Sequence, residues 1–139
     1  MKYLGLDLGS RTLGIAISES GILASALETY RFTDDDYDSA ANYTKELAIK
    51  KNISTIVLGF PKHMNGDDGI RANISIEFKK KLEELIPNIK VVLEDERLTT
   101  VVVDRAMVYG NVRRDKRKQK KDEMAAVVIL QNYLDKISF

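Results

Sequence analysis

At 139 residues and 15.7 kDa, with 44% hydrophobic and 31% charged residues, the chain holds enough apolar material for one ordinary core, which excludes a disordered or fibrous protein. It has no cysteine, no tryptophan and one histidine, so disulfide frameworks, thiolate metal sites, thiol nucleophiles and iron–sulfur clusters are excluded, and histidine-based acid–base schemes reduce to His63. The net charge of +1 conceals a division: GNVRRDKRKQKK, Gly110 to Lys121, carries seven basic residues against Asp115, a local +6, while the remaining 15 basic and 20 acidic residues leave −5.

In chain order, Tyr3 to Leu8 reads as a strand closed by Gly9-Ser10, Leu13 to Ser18 as its partner, and Ser25 to Arg31 as the third member of a meander. Asp34, Asp35 and Asp36 suit the N-terminus of a helix over Tyr37 to Lys51, with Ala40, Tyr43, Leu47 and Ala48 at helical spacing. Ser54 to Phe60 is a fourth strand, apolar at its centre as in a sheet covered on both faces, and Pro61 ends it. After a loop from Lys62 to Gly69, a helix is predicted from Ile70 to Ile86, with Ile70, Ile74, Phe78, Leu82, Leu85 and Ile86 as its buried stripe, closed by Pro87. Ile89 to Leu93 is a fifth strand, Thr99 to Tyr109 a third helix, and Asp122 to Lys136 a fourth, after the basic segment. This order predicts one domain over residues 1–139, α/β, a mixed sheet with helices on both faces. No stretch reads as a signal peptide or membrane span, so a cytoplasmic soluble protein is expected.

Three acids stand where chemistry is usually placed. Asp7 sits in an otherwise apolar strand, with Tyr3 and Gly5 on its side and Leu4, Leu6 and Leu8 on the other. A carboxylate there needs a metal, a basic neighbour or N–H donors to offset its desolvation; the alternative is a turn acid capping Gly9, Ser10 or Arg11. In Glu94-Asp95-Glu96, alternation makes Glu96 the preferred inward acid, with Asp95 as the alternate, and an acidic loop before a Thr99 or Thr100 cap as the bland reading. Asp122 shares a helical stripe with Ala125, Ala126, Ile129 and Tyr133, or is a plain N-cap, and Glu123 faces elsewhere.

Separated carboxylates near strand ends and a helix start point to a hard cation, Mg2+ or Mn2+, able to activate water for phosphodiester cleavage. The basic segment would hold a nucleic-acid backbone, or else be a solvated loop that aids solubility. Arg11 from the first turn and Arg97 beside the acids could each touch a phosphate or merely neutralise a carboxylate. The glycines of GSRTLG match neither the dinucleotide fingerprint nor a phosphate loop, His63 reads as a loop residue, and Tyr109 as packing.

With these blocks in view, LGLDLGSRTLGIAIS, VLGFPKHMNG, EDERLTT and DEMAAVVILQNYLD, in order over nearly the whole chain, the sequence resembles the YqgF/RuvX family of pre-16S ribosomal RNA processing nucleases, also described as Holliday-junction-resolvase-like. The resemblance implies a ribonuclease-H-like fold with a mixed five-stranded sheet and metal-dependent phosphodiester hydrolysis. By position, Asp7, Glu96 and Asp122 match the family's catalytic and metal-holding acids, Arg11 and Arg97 its basic residues, and Gly59, Pro61 and Gly66 its central loop. From the basic run, by charge rather than by family pattern, Arg113, Arg114, Arg117 and Lys118 are expected as further phosphate contacts; the run is denser than the family pattern, and Glu123 departs from its usual apolar residue. The implied substrate is structured RNA, pre-16S ribosomal RNA or a pre-ribosomal particle, with branched DNA cleaved by a homodimer as the alternative to RNA processing. Monomer and dimer both stay open. DLGSRTLGIAIS also broadly resembles the phosphate-holding element of actin-like ATPases and sugar kinases, and a noncatalytic RNA-binding domain is the third reading.

Overall fold

Alternation of large and small residues along YLGLDL gives the first strand two different faces, and the computed structural model builds the molecule around that difference. It describes residues 1–61, 67–95 and 114–138, with side chains at all of these except 67–68 and 114–122. The strands are β1 Tyr3–Leu8, β2 Thr12–Ser18, β3 Ser25–Arg31, β4 Thr55–Phe60 and β5 Lys90–Asp95; the helices are α1 Tyr37–Lys50, α2 Asp67–Leu85 and α3 Arg114–Ile137. The expected helix over Thr99 to Tyr109 lies outside the described residues.

The sheet order is β3-β2-β1-β4-β5. The opening meander is antiparallel, and the two later strands are parallel to β1, each reached through a helix. This is the mixed five-stranded sheet with helices on both faces, a ribonuclease-H-like fold. Leu4, Leu6, Leu8, Leu13, Ile15, Ile56 and Leu58 pack with Ala40, Leu47 and Ala48 of α1 and Phe78 and Leu82 of α2. On the other face, Tyr3, Ala16 and Val57 meet Ala126, Ile129, Leu130 and Leu134 of α3.

Helix boundaries follow local chemistry. Asp36 caps α1 by accepting from the Ser39 amide at 3.2 Å, and α1 ends with Asn52 at φ 56° while Ile53 N–H reaches back to Ala48 O at 2.9 Å. α2 begins at Asp67 rather than Ile70, because Asp67 and Asp68 suit a helix N-terminus and Gly69 is tolerated in the first turn. Ile70, expected in the buried stripe, is 61% exposed; Ala72 and Ser75 are buried in that first half of α2. α3 differs most: it starts at Arg114, not Asp122, since RDKRKQKK holds mostly strong helix formers and no glycine or proline.

Candidate active site

Strand register brings Asp7 into an unusual row. Asp7 pairs with Gly14 on β2, and Gly14 pairs with Thr29 on β3. Leu6 is level with Leu58, so the same parallel register carried one residue further sets Asp7 beside Gly59, which pairs with Glu94 on β5. The row Thr29, Gly14, Asp7, Gly59, Glu94 lies on the α3 face, near the carboxyl ends of the parallel strands. Both strands flanking the half-buried Asp7 thus present bare backbone beside it, where any other residue would place a Cβ about 5 Å from that of Asp7.

Glycine also sets the height of the helix above this row. A Cβ added to Gly5 would stand 2.6 Å from Leu130 Cβ and 2.8 Å from Ala126 O, so α3 rests directly on the β1 backbone. Asp122 lies one turn before Ala126 on the same stripe. At the next residue, Glu123 accepts from Thr29 Oγ1 at 3.4 Å, which fixes this part of α3 at the level of the Asp7 row. Glu123 therefore faces the sheet rather than away from it. Because α3 begins eight residues earlier, Asp122 is interior to the helix and is not its N-cap; its side chain lies outside the description. Further along, Gln131 accepts from Ala24 N–H and donates to Ile22 O, both at 2.9 Å, and Lys136 pairs with Glu94.

The second acidic cluster divides between faces. Glu94 is 5% exposed, on the α3 face, with the Lys136 ammonium as counter-ion. Asp95 has the parity of Val91 and Leu93, which pack toward α1 and α2, the face away from Asp7. Glu96 and Arg97 lie outside the described residues, as do Thr99, Thr100, Tyr109, Arg113, His63 and Gly66. Among the described residues no three carboxylates or imidazoles gather closely enough to hold a metal.

The cations occupy distinct places. Arg11 forms a two-pronged pair with Asp34 through Nε and Nη2, the latter 3.1 Å from Oδ2, and both side chains are largely exposed. The hydrogen bond to Asp34, reinforced by its charge, raises the Arg11 pKa. Arg71 of α2 was not anticipated: its Nη2 donates to Leu8 O at 2.8 Å, tying α2 to the end of β1. No periodicity or motif in the sequence announces that contact. Arg114, Arg117 and Lys118, expected ahead of the helix, belong to its first turns. An apolar groove of about 370 Å³ between α1 and α2, lined by Tyr37, Ile70, Ile74 and Phe78 among others, opens on the face away from Asp7.

The family model described as "RuvX: Holliday junction resolvase" matches residues 1–136. A protein of Onion yellows phytoplasma named "Putative pre-16S rRNA nuclease" is 51% identical over 134 residues, covering 96% of this chain and 89% of that one. A Staphylococcus aureus protein of the same name is 44% identical over 137 residues, covering 98% and 96%. Among solved structures, Thermus thermophilus RuvC in complex with Holliday junction substrate superposes with a TM-score of 0.68 at 12% identity, covering 99% of this chain and 96% of that one, a likeness of fold.

Proposed function

This chain belongs to the RuvX family, and on that premise we propose that it is a metal-dependent endonuclease that hydrolyses phosphodiester bonds to mature the ends of pre-16S ribosomal RNA. The observation that carries the reading is the placement of Asp7: a strand carboxylate between Gly14 and Gly59, on the face crossed by the helix that bears Asp122. We read residues 1–139 as one nuclease domain, since the strands of the first half and the helix at the end share this face.

The donor set suits a hard cation. Asp7, Glu96 and Asp122 offer only oxygen, and the chain has no cysteine, which favours Mg2+ or Mn2+ over a softer metal. A bound dication would activate water and stabilise the leaving oxygen. Asp7, Glu96 and Asp122 would hold the ions; Glu96 is assigned rather than Asp95 because Asp95 has the parity of the opposite face. Arg11 and Arg97 would contact substrate phosphate, while Arg113, Arg114, Arg117 and Lys118 would hold the flanking backbone through charge. No nucleophilic side chain is required. Action on ribosomal precursors would put the protein in the cytoplasm; among the described residues no helix is long and apolar enough to cross a membrane.

The family description favours a second reading, cleavage of four-way DNA junctions, which would call for two such sites in a homodimer. A cleavage assay with Mg2+ or Mn2+ presents precursor 16S RNA and a four-way DNA junction side by side to wild-type and Asp7→Asn protein. Metal-dependent cleavage of the RNA, abolished by EDTA and by Asp7→Asn, is expected. Preferential junction cleavage selects the second reading, and an Asp7→Asn variant as active as wild type sinks the assignment of the site.

A further inference from the structure

The three consecutive acids before α1 have three separate partners. Asp36 caps the helix, Asp35 accepts from the Tyr37 hydroxyl at 3.0 Å, and Asp34 alone reaches across to the β1–β2 hairpin to grip Arg11. That reach is built into the backbone. Phe32 N–H donates to Arg11 O and Asp35 N–H to Ser10 O, both at 2.9 Å, so the turn after β3 is stitched to the hairpin loop on either side of the ion pair. Asp35 itself adopts φ 60°, a left-handed conformation rare for a residue with a side chain, which the surrounding hydrogen bonds hold in place. The hairpin leads straight out of the strand that carries Asp7, and Gly9 N–H closes it on Thr12 O at 2.8 Å.

A pair this exposed, 73% and 58% for the two side chains, contributes little to stability. Its effect is on the arginine. A free arginine carries several rotatable bonds, and ordering it when a ligand arrives costs affinity; a carboxylate that orders it beforehand removes that cost. The pair engages Nε and Nη2, and Nη1 is directed to neither carboxylate oxygen by that pairing. We propose that Asp34 is a positioning residue, which orients the Arg11 guanidinium at the hairpin so that Nη1 meets a phosphate of the nucleic-acid substrate. This rests on the reading of Arg11 as a phosphate contact given above.

Simple charge counting predicts the opposite sign. Deleting an acid beside a nucleic-acid site should tighten binding, whereas losing a positioning carboxylate should weaken it. The test is the affinity of a precursor 16S RNA fragment, measured with EDTA present so that no cleavage intervenes, for wild type, Arg11→Ala, Asp34→Asn, Asp34→Glu and the Arg11→Ala/Asp34→Asn double variant. Asp34→Asn is expected to weaken binding roughly threefold to tenfold, the scale of ordering one rotamer-rich side chain on binding. Asp34→Glu should recover part of the loss, and in the Arg11→Ala background Asp34→Asn should add nothing. If Arg11→Ala weakens binding but Asp34→Asn leaves it unchanged or tightens it, the positioning role is overturned and Arg11 keeps its assignment. Equal, additive losses from the two substitutions overturn it as well. If Arg11→Ala itself changes nothing, Arg11 is not a phosphate contact and the inference falls with that reading.

Discussion

On β1 the residues turned toward α1 and α2 are Leu4, Leu6 and Leu8, all buried, whereas those turned toward α3 are Tyr3, Gly5 and Asp7. The neighbouring strands repeat the contrast: Leu13, Ile15, Ile56 and Leu58 fill the first face, and Gly14, Ala16, Val57 and Gly59 line the second. One side of the sheet is therefore thick with branched aliphatics. The other is thinned until a helix rests on backbone and a carboxylate can stand among glycines. The first face carries the larger buried apolar cluster, which leaves the second able to hold groups that cost stability.

The sharpest way to test this division is to exchange the kinds of damage. Leu6, fully buried on the aliphatic face, should lose about 2–5 kcal/mol of stability on Leu6→Ala, read by denaturant unfolding, with near-normal cleavage by the fraction still folded. Asp7→Asn should do the reverse. Altering groups that merely orient a metal ligand costs about 10- to 100-fold, so removing the proposed ligand should lower cleavage by about a hundredfold or more at little change in Tm. A Leu6→Ala protein that folds fully but does not cleave would break the division of labour.

Gly5→Ala should affect both properties. The added methyl has no room beneath Leu130 and Ala126, so α3 must lift, at a cost of about 1–3 kcal/mol, and cleavage should fall because Asp122 rides on that helix. Wild-type activity in a destabilised Gly5→Ala protein would separate the height of α3 from catalysis. The smallest expected effect is at the far end of α3. Lys136→Met leaves the buried Glu94 without its cation and should cost about 1 kcal/mol, near the low end for an abandoned charged group because Lys136 itself is largely exposed. Adding Glu94→Gln should recover most of that loss in denaturation experiments; a protein indifferent to both changes would show that α3 is fastened by its apolar stripe alone.

Much of the sheet was legible because strands signal themselves locally. Alternation along YLGLDL assigned the two faces of β1 correctly, and the apolar run TIVLGF announced a strand covered on both sides. The start of α3 is obscured for an equally local reason: charge sets the basic run apart, while lysine and arginine are also good helix formers. The earlier start matters, since only an interior Asp122 excludes the N-cap alternative. Ile70 has the spacing of a core residue, yet its side chain is largely exposed, at the apolar groove between α1 and α2. Partners joined by distant segments, such as Arg71 with Leu8, Gln131 with Ala24 and Lys136 with Glu94, leave no periodic trace in a single sequence.

The amino-acid order by itself determined the strands, the acids worth attention and the family blocks that connect them, because each depends on residue type and near-neighbour spacing. Which of Glu94 and Asp95 shares a face with Asp7, that Gly14 and Gly59 flank it, and that Asp34 holds Arg11 were decided only by tertiary structure. Strand register and helix docking join residues many positions apart, and a one-residue slip in register would move every side chain of a strand to the opposite face.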